Sequence, residues 1–556
     1  MSKRLVAALI LFFASISATA GTQSIKVRIA AFNDFHGHLK SPGKLGPHAV
    51  GGVDALAGYI DGLRKNNANT IVVSAGDLIG ASPLISGLFH DEPTIEAMNR
   101  LGLDINAVGN HEFDEGASEL LRMQQGGCHP SGVNTCKGKE VGTSDPFEGA
   151  KFAFLAANVV HRPSGAPLFP PYAIKRFEGI PVAFIGLTLR GTNRIVRAKG
   201  VADLSFLGEA KSVNALIPEL RRQGVEAIVV LLHEGGRQSG TFDECEGISG
   251  PIVAIVERLD AAVDLVISGH THQSYNCRLP NRAGDRIPVT SAGSYGRFLT
   301  DIELQLDPRT HDVSRVEARN IEVRRDDIAP NAELARLVAA YARLAAPLAE
   351  RVVGRITDDF TRDTDNAGES ALGRLVADAQ LHATRASNNA DVAFMNMGGM
   401  RADLTFKQRK HEGDGRVTYE EIYAVHPFGN ALVTLTLTGA QIKTLLEQQF
   451  GCPRDRARPR LLQVSEGFEY TWNPSAKSCA KVVGNSIRLN GVVLQPDKRY
   501  RVTVNDYLAE GGDGLRALKQ GAEQQGGVLD RDALASYLQA HSSLSPSPTP
   551  RIRLAR

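Results

Sequence analysis

No charge bias marks this chain: 63 Lys and Arg stand against 61 Asp and Glu, a formal +2 at neutral pH. That excludes a global electrostatic case for a nucleic acid polymer or a membrane surface, so partners have to be sought at local sites. No internal repeat of solenoid period is present. Beyond residues 1–20 no apolar run reaches the ~20 residues that a spanning helix needs. Cysteine is sparse, six in 556 residues, and none falls inside the motifs described below. The six are therefore expected in structural disulfides of an oxidising compartment and not as thiolate ligands. Proximity in sequence pairs Cys128 with Cys136, Cys245 with Cys277 and Cys452 with Cys479.

Residues 1–20 have a basic start (Lys3, Arg4), an apolar stretch from Leu5 to Ile16, and small residues at Ala18-Thr19-Ala20. They read as a signal peptide, so the expected protein is exported, periplasmic or extracellular, with no membrane anchor in the mature form. A chain of 556 residues with 42% hydrophobic and 22% charged residues suits two folded domains. Over residues 21–328, β-branched runs alternate with helical patterns (Asp54 to Arg64, Ser118 to Gln124, Ala210 to Gln223, Pro251 to Leu259), which predicts a layered α/β domain. Residues 329–350 are Ala, Leu and Arg rich and predict a linker helix that Pro347 kinks or ends. Residues 351–542 restart the α/β pattern as a second domain. The Ser- and Pro-rich segment 543–556 is expected as an extended, mobile tail.

Five apolar strand-like runs end in residues able to hold a metal ion. Asp34 and His36 follow Lys26 to Phe32, Asp77 follows Thr70 to Ser74, and Asn110 follows Ile105 to Val108; His233 follows Ala227 to Leu232, and His270 with His272 follow Asp264 to Ser268. In open α/β sheets ligands bind beyond the carboxyl ends of strands, so seven donors can meet at one place. Residues two apart in extended backbone project to one side, so each of the pairs 34/36 and 270/272 is expected to grip from one direction. Imidazole, carboxylate and amide donors suit two divalent ions such as zinc or manganese. Two dications against Asp34 and Asp77 leave a net positive centre, suited to a phosphate dianion and to acidifying water, with Asp77 the expected bridge.

The motifs Asn33-Asp34-Phe35-His36-Gly37-His38, Gly76-Asp77, Gly109-Asn110-His111-Glu112-Phe113-Asp114, His233-Glu234-Gly235-Gly236 and Gly269-His270-Thr271-His272 together resemble the calcineurin-like metallophosphoesterase domain of the secreted 5'-nucleotidase and UDP-sugar hydrolase family. The resemblance implies a four-layered α/β sandwich joined by the linker helix to a second α/β, nucleotide-binding domain. It implies one ion on Asp34, His36, Asp77 and His272 and another on Asp77, Asn110, His233 and His270. His111 and Asp114 match the catalytic pair, and Glu112 is assigned a structural role. In the second half, Asn396-Met397-Gly398-Gly399-Met400-Arg401, Pro427-Phe428-Gly429-Asn430 and Tyr507-Leu508-Ala509-Glu510-Gly511-Gly512-Asp513-Gly514 resemble the family's nucleotide-binding segments. Phe428 and Tyr507 would then sandwich the base, Asn396 would contact it, Asp513 would accept from ribose hydroxyls, and Arg401 and Arg362 would face anionic groups. The implied activity is hydrolysis of nucleoside 5'-monophosphates, with nucleotide sugars and other nucleotides as further substrates. The alternatives are a 2',3'-cyclic nucleotide phosphodiesterase with 3'-nucleotidase activity, a thiosulfohydrolase, and a catalytically silent secreted binding protein.

Overall fold

The computed structural model describes residues 24–407, 413–453 and 459–555. The expected signal peptide, residues 1–20, lies outside the described residues. Two six-stranded sheets form the centre of the first half. In one, the order is Val313–Glu322, Phe298–Leu306, Ile25–Phe32, Thr70–Ser74, Ile105–Ala107, Ala153–Leu155. The last four run parallel and the first two are antiparallel additions. In the other, the order is Ser274–Pro280, Arg286–Ala292, Leu265–Ser268, Ala227–His233, Ile180–Thr188, Tyr172–Phe177, with the middle four parallel.

The sheets face each other because their central strands are apolar on both faces. Val27, Ile29 and Ala31 meet Val229, Leu231 and Ile267 between the sheets. The opposite face of the first sheet packs on helices Val53–Asn66 and Glu92–Leu101 through Ala30, Phe32, Leu56 and Met98. That of the second packs on helices Glu209–Arg222 and Pro251–Val256 through Ile228, Val230, Ile217 and Ile252. The result is helix, sheet, sheet, helix, with parallel strands buried on both faces. All the central parallel strands deliver their carboxyl ends to one edge.

Helix Ala332–Ala349 begins at Asn331, whose side chain accepts the Glu333 and Leu334 amides, and continues two residues past Pro347. It packs against both halves: Leu334, Leu337 and Tyr341 share a core with Met98 and Phe89 of the first and Ile422 of the second. The second half has a five-stranded sheet in the order Leu462–Val464, Val392–Asn396, Arg499–Asn505, Ala431–Thr438, Ala522–Leu529. Helix Ala371–Asn388 contributes Leu372 and Val376 to the core shared with Leu534 and Leu538, and helix Gly439–Gln448 contributes Ile442 and Leu446 to a second core. The chain end differs from the expected mobile tail. Ile552–Leu554 adds as a parallel strand to Phe468–Trp472, and Arg551 forks onto both oxygens of Asp378 at 2.7 and 2.8 Å. The buried Ile552 side chain supplies the apolar anchor that Ser and Pro counting overlooks. The three disulfides are Cys128–Cys136, Cys245–Cys277 and Cys452–Cys479, the pairing that proximity suggests. No helix among the described residues is long and apolar enough to cross a membrane.

Candidate metal centre and the cavity beside it

Five of the seven candidate donors leave the strand ends through turns, not extended backbone, while His233 is the last residue of its strand. Asp34, His36, Asp77, His270 and His272 all have positive φ, between 48° and 71°. Such conformations cost side-chain-bearing residues about 1–3 kcal/mol each and persist where surrounding structure dictates them. This corrects the expectation that each 34/36 and 270/272 pair projects to one side as an extended strand would. Asp34 and His36 still face one place, but His270 and His272 part company. Ligand atoms of Asp34, His36 and His272 lie within 4.8 Å of one another, and so do those of Asp77, His233 and His270. Asp77 also groups with His36 and His111, so its carboxylate stands between the two sets. Gly76 makes this approach possible, since a Cβ there would sit 2.7 Å from His233 Nδ1 at a φ of +90°.

Hydrogen bonds fix the tautomers. His36 Nδ1 lies 2.8 Å from the Gly80 carbonyl and His233 Nδ1 lies 2.8 Å from the Ala75 carbonyl. Each Nδ1 therefore carries the hydrogen, and each Nε2 keeps a lone pair, the arrangement that orients a metal-binding imidazole. His36 Nε2 faces His272 Nε2 at 3.1 Å. His233 Nε2 is 3.0 Å from Asp77 Oδ2, yet it has no hydrogen-bond partner in an acceptable direction, and neither does the buried Asn110 Oδ1. Lone pairs pointing at lone pairs in a buried pocket are unfavourable unless a cation sits among them. These orphaned atoms fit a pair of divalent ions. Burial pushes the His36 imidazole well below its ordinary pKa, and burial with the neighbouring His233 brings His270 down to about 4. Both are thus neutral, as ligands must be. Burial opposes a second proton on His233, but Asp77, then Asp34 and Glu112, raise its pKa to about 10, so without a cation Nε2 takes up a proton, and a divalent ion would displace it.

Glu112 ties the loops together. Its carboxylate accepts the Asp77 amide at 3.0 Å, the Leu78 amide at 2.8 Å, the Gly109 amide at 2.8 Å and the Asn106 side-chain amide at 3.1 Å. The structural role expected for it is what these contacts describe. His111 sits at the start of the short helix His111–Phe113, with Nδ1 at 2.9 Å from Asp114 Oδ2 and its ring centroid 5.0 Å from that of His36. Burial works against protonation of His111, but the Asp114 and Asp77 carboxylates outweigh it and raise its pKa.

Between the two halves lies a cavity of about 840 Å³ lined by Asn110, His111, Asp114 and His270 on one side and Asn396, Arg401, Phe428, Tyr507 and Asp513 on the other. The Phe428 ring lies near-parallel to the His111 ring at 5.6 Å, and the Arg401 guanidinium is 5.9 Å above Phe428. The Tyr507 hydroxyl donates to the Arg194 carbonyl at 3.2 Å, and Asn396 Nδ2 donates to Asp513 at 3.2 Å. Arg362 is not part of this lining; it is exposed and bound to Asp403 at 2.9 Å. Two arginines passed over in the sequence belong here. Arg197 donates to the Phe428 carbonyl at 3.3 Å and to Asn430 at 3.1 Å, tying the halves together, and Arg460 pairs with Asp513. No motif flags Arg197, one of several cations in the loop that also holds Arg194 and Lys199.

Two family models match the chain: the calcineurin-like phosphoesterase over residues 27–274 and the 5'-nucleotidase C-terminal domain over residues 352–520. Among relatives, endonuclease YhcR of Bacillus subtilis is 31% identical over 90% of this chain and 39% of its own length. Cell wall protein Lmo0130 of Listeria monocytogenes is 33% identical over 91% of this chain and 66% of its own. The chain thus spans less than two thirds of these curated relatives. The crystal structure of a 5'-nucleotidase precursor from Thermus thermophilus aligns with a TM-score of 0.76 at 25% identity, covering 95% of this chain and 99% of that one. Calcineurin-like phosphoesterases use divalent metals, and the donor groups above are candidates to hold them. The chain belongs to the family of phosphoester hydrolases that joins a calcineurin-like phosphoesterase domain to a 5'-nucleotidase C-terminal domain.

Proposed function

We propose that this protein hydrolyses nucleoside 5'-monophosphates to nucleoside and phosphate, with nucleotide sugars and other nucleotides as further substrates. The observation that carries the reading is the stacking of Phe428 against His111 at 5.6 Å across the cavity, which sets an aromatic base platform directly before the donor set. In this reading Asp34, His36, Asp77 and His272 hold one divalent ion, and Asp77, Asn110, His233 and His270 hold the other. Such a pair supplies Lewis acidity, lowering the pKa of water and polarising the phosphoryl oxygens.

The chain's own groups do the rest. Asp114 engages His111 Nδ1, leaving Nε2 to donate to a phosphoryl oxygen as charge builds there, and the raised pKa keeps that proton in place. Phe428 and Tyr507 take the base between them, Asn396 and Asp513 meet base and ribose, and Arg401 adds positive charge beside the phosphate. Stacking is tolerant of base identity and contributes about 1–3 kcal/mol per base, so broad nucleoside preference follows. Arg362, held by Asp403, is left out of this site. Residues 1–20 are read as an export signal; the three disulfides and the cell-wall relative support that placement.

The test is phosphate release from AMP, UMP and UDP-glucose by the purified chain, with and without chelator. Absence of chelator-sensitive release from all three rejects the reading. Identity to an endonuclease over 90% of this chain favours one second reading, phosphodiester cleavage. Including 2',3'-cyclic AMP and single-stranded DNA in the same panel separates the two by product.

A further inference from the structure

A second group of metal-ligating side chains stands apart from the central pair. His90 Nδ1, His129 Nε2 and one oxygen each from Glu115 and Glu119 lie within 4.8 Å of one another. None of the four belongs to the seven central donors. His90 follows the short helix Leu84–Gly87, Glu115 follows Asp114, Glu119 lies on helix Ala117–Gln125, and His129 sits beside Cys128 in the disulfide loop. Three of the side chains are mostly enclosed, at 18% exposure for His90, 21% for His129 and 10% for Glu119.

The distances suit one small cation. Tetrahedral zinc with bonds of about 2.0–2.2 Å separates its ligand atoms by roughly 3.4 Å. Here His90 Nδ1 to Glu115 Oε2 is 3.0 Å, His129 Nε2 to Glu115 Oε2 is 3.5 Å, and His129 Nε2 to Glu119 Oε2 is 3.9 Å. The outer nitrogens and oxygens are already engaged. His90 Nε2 donates to the Val133 carbonyl at 3.0 Å, and His129 Nδ1 lies 2.8 Å from the Ser131 hydroxyl. Arg122 forks onto both Glu119 oxygens, Nε on Oε2 at 2.9 Å and a terminal nitrogen on Oε1 at 2.6 Å, so an ion on Oε2 shares that oxygen with the guanidinium. The Val133 carbonyl orients His90 from behind as it would a ligand, whereas the Ser131 amide donates to His129 Nδ1 and so favours the tautomer with its hydrogen on Nε2.

We propose that His90, Glu115, Glu119 and His129 form a third divalent-cation site, of zinc-like preference, that pins the Cys128–Cys136 loop to the rim of the cavity. Two neutral imidazoles and two carboxylates give the site a charge of −2, which a dication neutralises. Burial opposes a proton on His90, but Glu115 prevails and raises its pKa, while burial and the charge of His90 lower that of His129. Binding also requires local rearrangement. The rings are stacked at 3.8 Å and 9° and must tilt for both lone pairs to converge, and the Ser131 amide, now 3.2 Å from His129 Nδ1, must turn away from the proton there. The consequence concerns the active cavity, because His90, Glu115, Glu119, Ser131 and Val133 all line it.

The test counts zinc in the full chain after chelator stripping, re-equilibration with zinc alone and desalting. Wild type is expected to hold one zinc more than the doubly substituted His90→Gln/His129→Gln protein, three against two. Asp77→Asn/His233→Asn protein is expected to keep the rim ion. Equal zinc in wild type and His90→Gln/His129→Gln overturns this proposal without touching the central pair. One zinc in wild type that His90→Gln/His129→Gln loses supports this site and removes the central pair instead. Should the substituted chain fail to fold, zinc-edge anomalous maps from wild-type crystals decide: a peak between His90 and His129 supports the site, and an empty map there overturns it.

Discussion

Replacing Glu112 with Ala tests the claim that one buried carboxylate holds three loops of the metal centre in place. The substitution removes the acceptor for the Asp77, Leu78 and Gly109 amides and the Asn106 side chain. Burial, then the charge of Asp77, raise the Glu112 pKa to about 7, so at pH 8 the carboxylate is ionised and holds all four donors. Each buried donor left unpaired costs about 1–3 kcal/mol. With relaxation, water entry and relief of the buried charge, itself worth about 3 kcal/mol at pH 8, offsetting part of that sum, the expected net loss is about 4 kcal/mol, a large part of the ~5–15 kcal/mol typical of a folded domain. Urea unfolding at pH 8 in excess chelator measures it, since chelation removes the separate stabilisation that bound ions supply by mass action. A loss under about 1 kcal/mol would show that the loops keep their shape without Glu112, and the reasoning would fall.

Replacing His111 with Ala is expected to lower kcat by about 100-fold or more while leaving ion content at the wild-type level, as befits a proton donor that is not a ligand; parallel kinetics and metal analysis check it, and loss of ions in step with kcat would make His111 a ligand. Phe428→Ala should raise KM by about 10-fold or more through lost base stacking, read from saturation curves with AMP and UMP; an unchanged KM would place the base elsewhere. Asp530 is fully buried, with Oδ2 lacking a hydrogen-bond partner, and burial raises its pKa to about 7. Between its unfolded value near 4 and about 7 the unfolded chain releases a proton that the folded chain retains, so stability falls as pH rises through this window. Asp530→Asn should remove that slope and stabilise the protein by about 2–4 kcal/mol at pH 8, measured by urea unfolding from pH 4.5 to 8; an unaltered slope would refute the assignment.

The strand ends were legible because parallel, doubly buried strands need continuous β-branched runs, and Thr70–Ser74 and Ala227–His233 leave no other reading. The donors after them were legible because His, Asp and Asn at such ends have few structural reasons to recur in this order. Side-chain direction was not. Alternate positions 270 and 272 look equivalent in a linear pattern, yet each enters the left-handed region and they serve different donor groups. Arg197, which reaches Phe428 and Asn430 from more than 200 positions away, depends on how the two halves meet. Local patterning carries no information on that. The Arg460 pairing with Asp513 lies within the second half, but it joins loops 53 positions apart and is equally invisible to local patterning.

The left-handed turns also explain why the site rests on the sheets and not on its own contacts. Five donor residues at positive φ, at about 1–3 kcal/mol each, amount to several kcal/mol of local strain. Charge repulsion among Asp34, Asp77 and Glu112 adds to it. Neither can be offset within loops that bury few apolar groups, but the strands that feed them are packed between two sheets through Ile29, Val73, Leu231 and Ile267. Ions placed among the donors would relieve the repulsion and leave the backbone strain. It follows that stripping the ions should loosen the side chains of the centre without unfolding the turns, whereas a cavity cut between the sheets, such as Val73→Ala, should release the strained turns even with ions present. Hydrogen exchange of the Asp34, Asp77 and His270 amides under both perturbations distinguishes the two, and faster exchange on chelation than in Val73→Ala would contradict this division of labour.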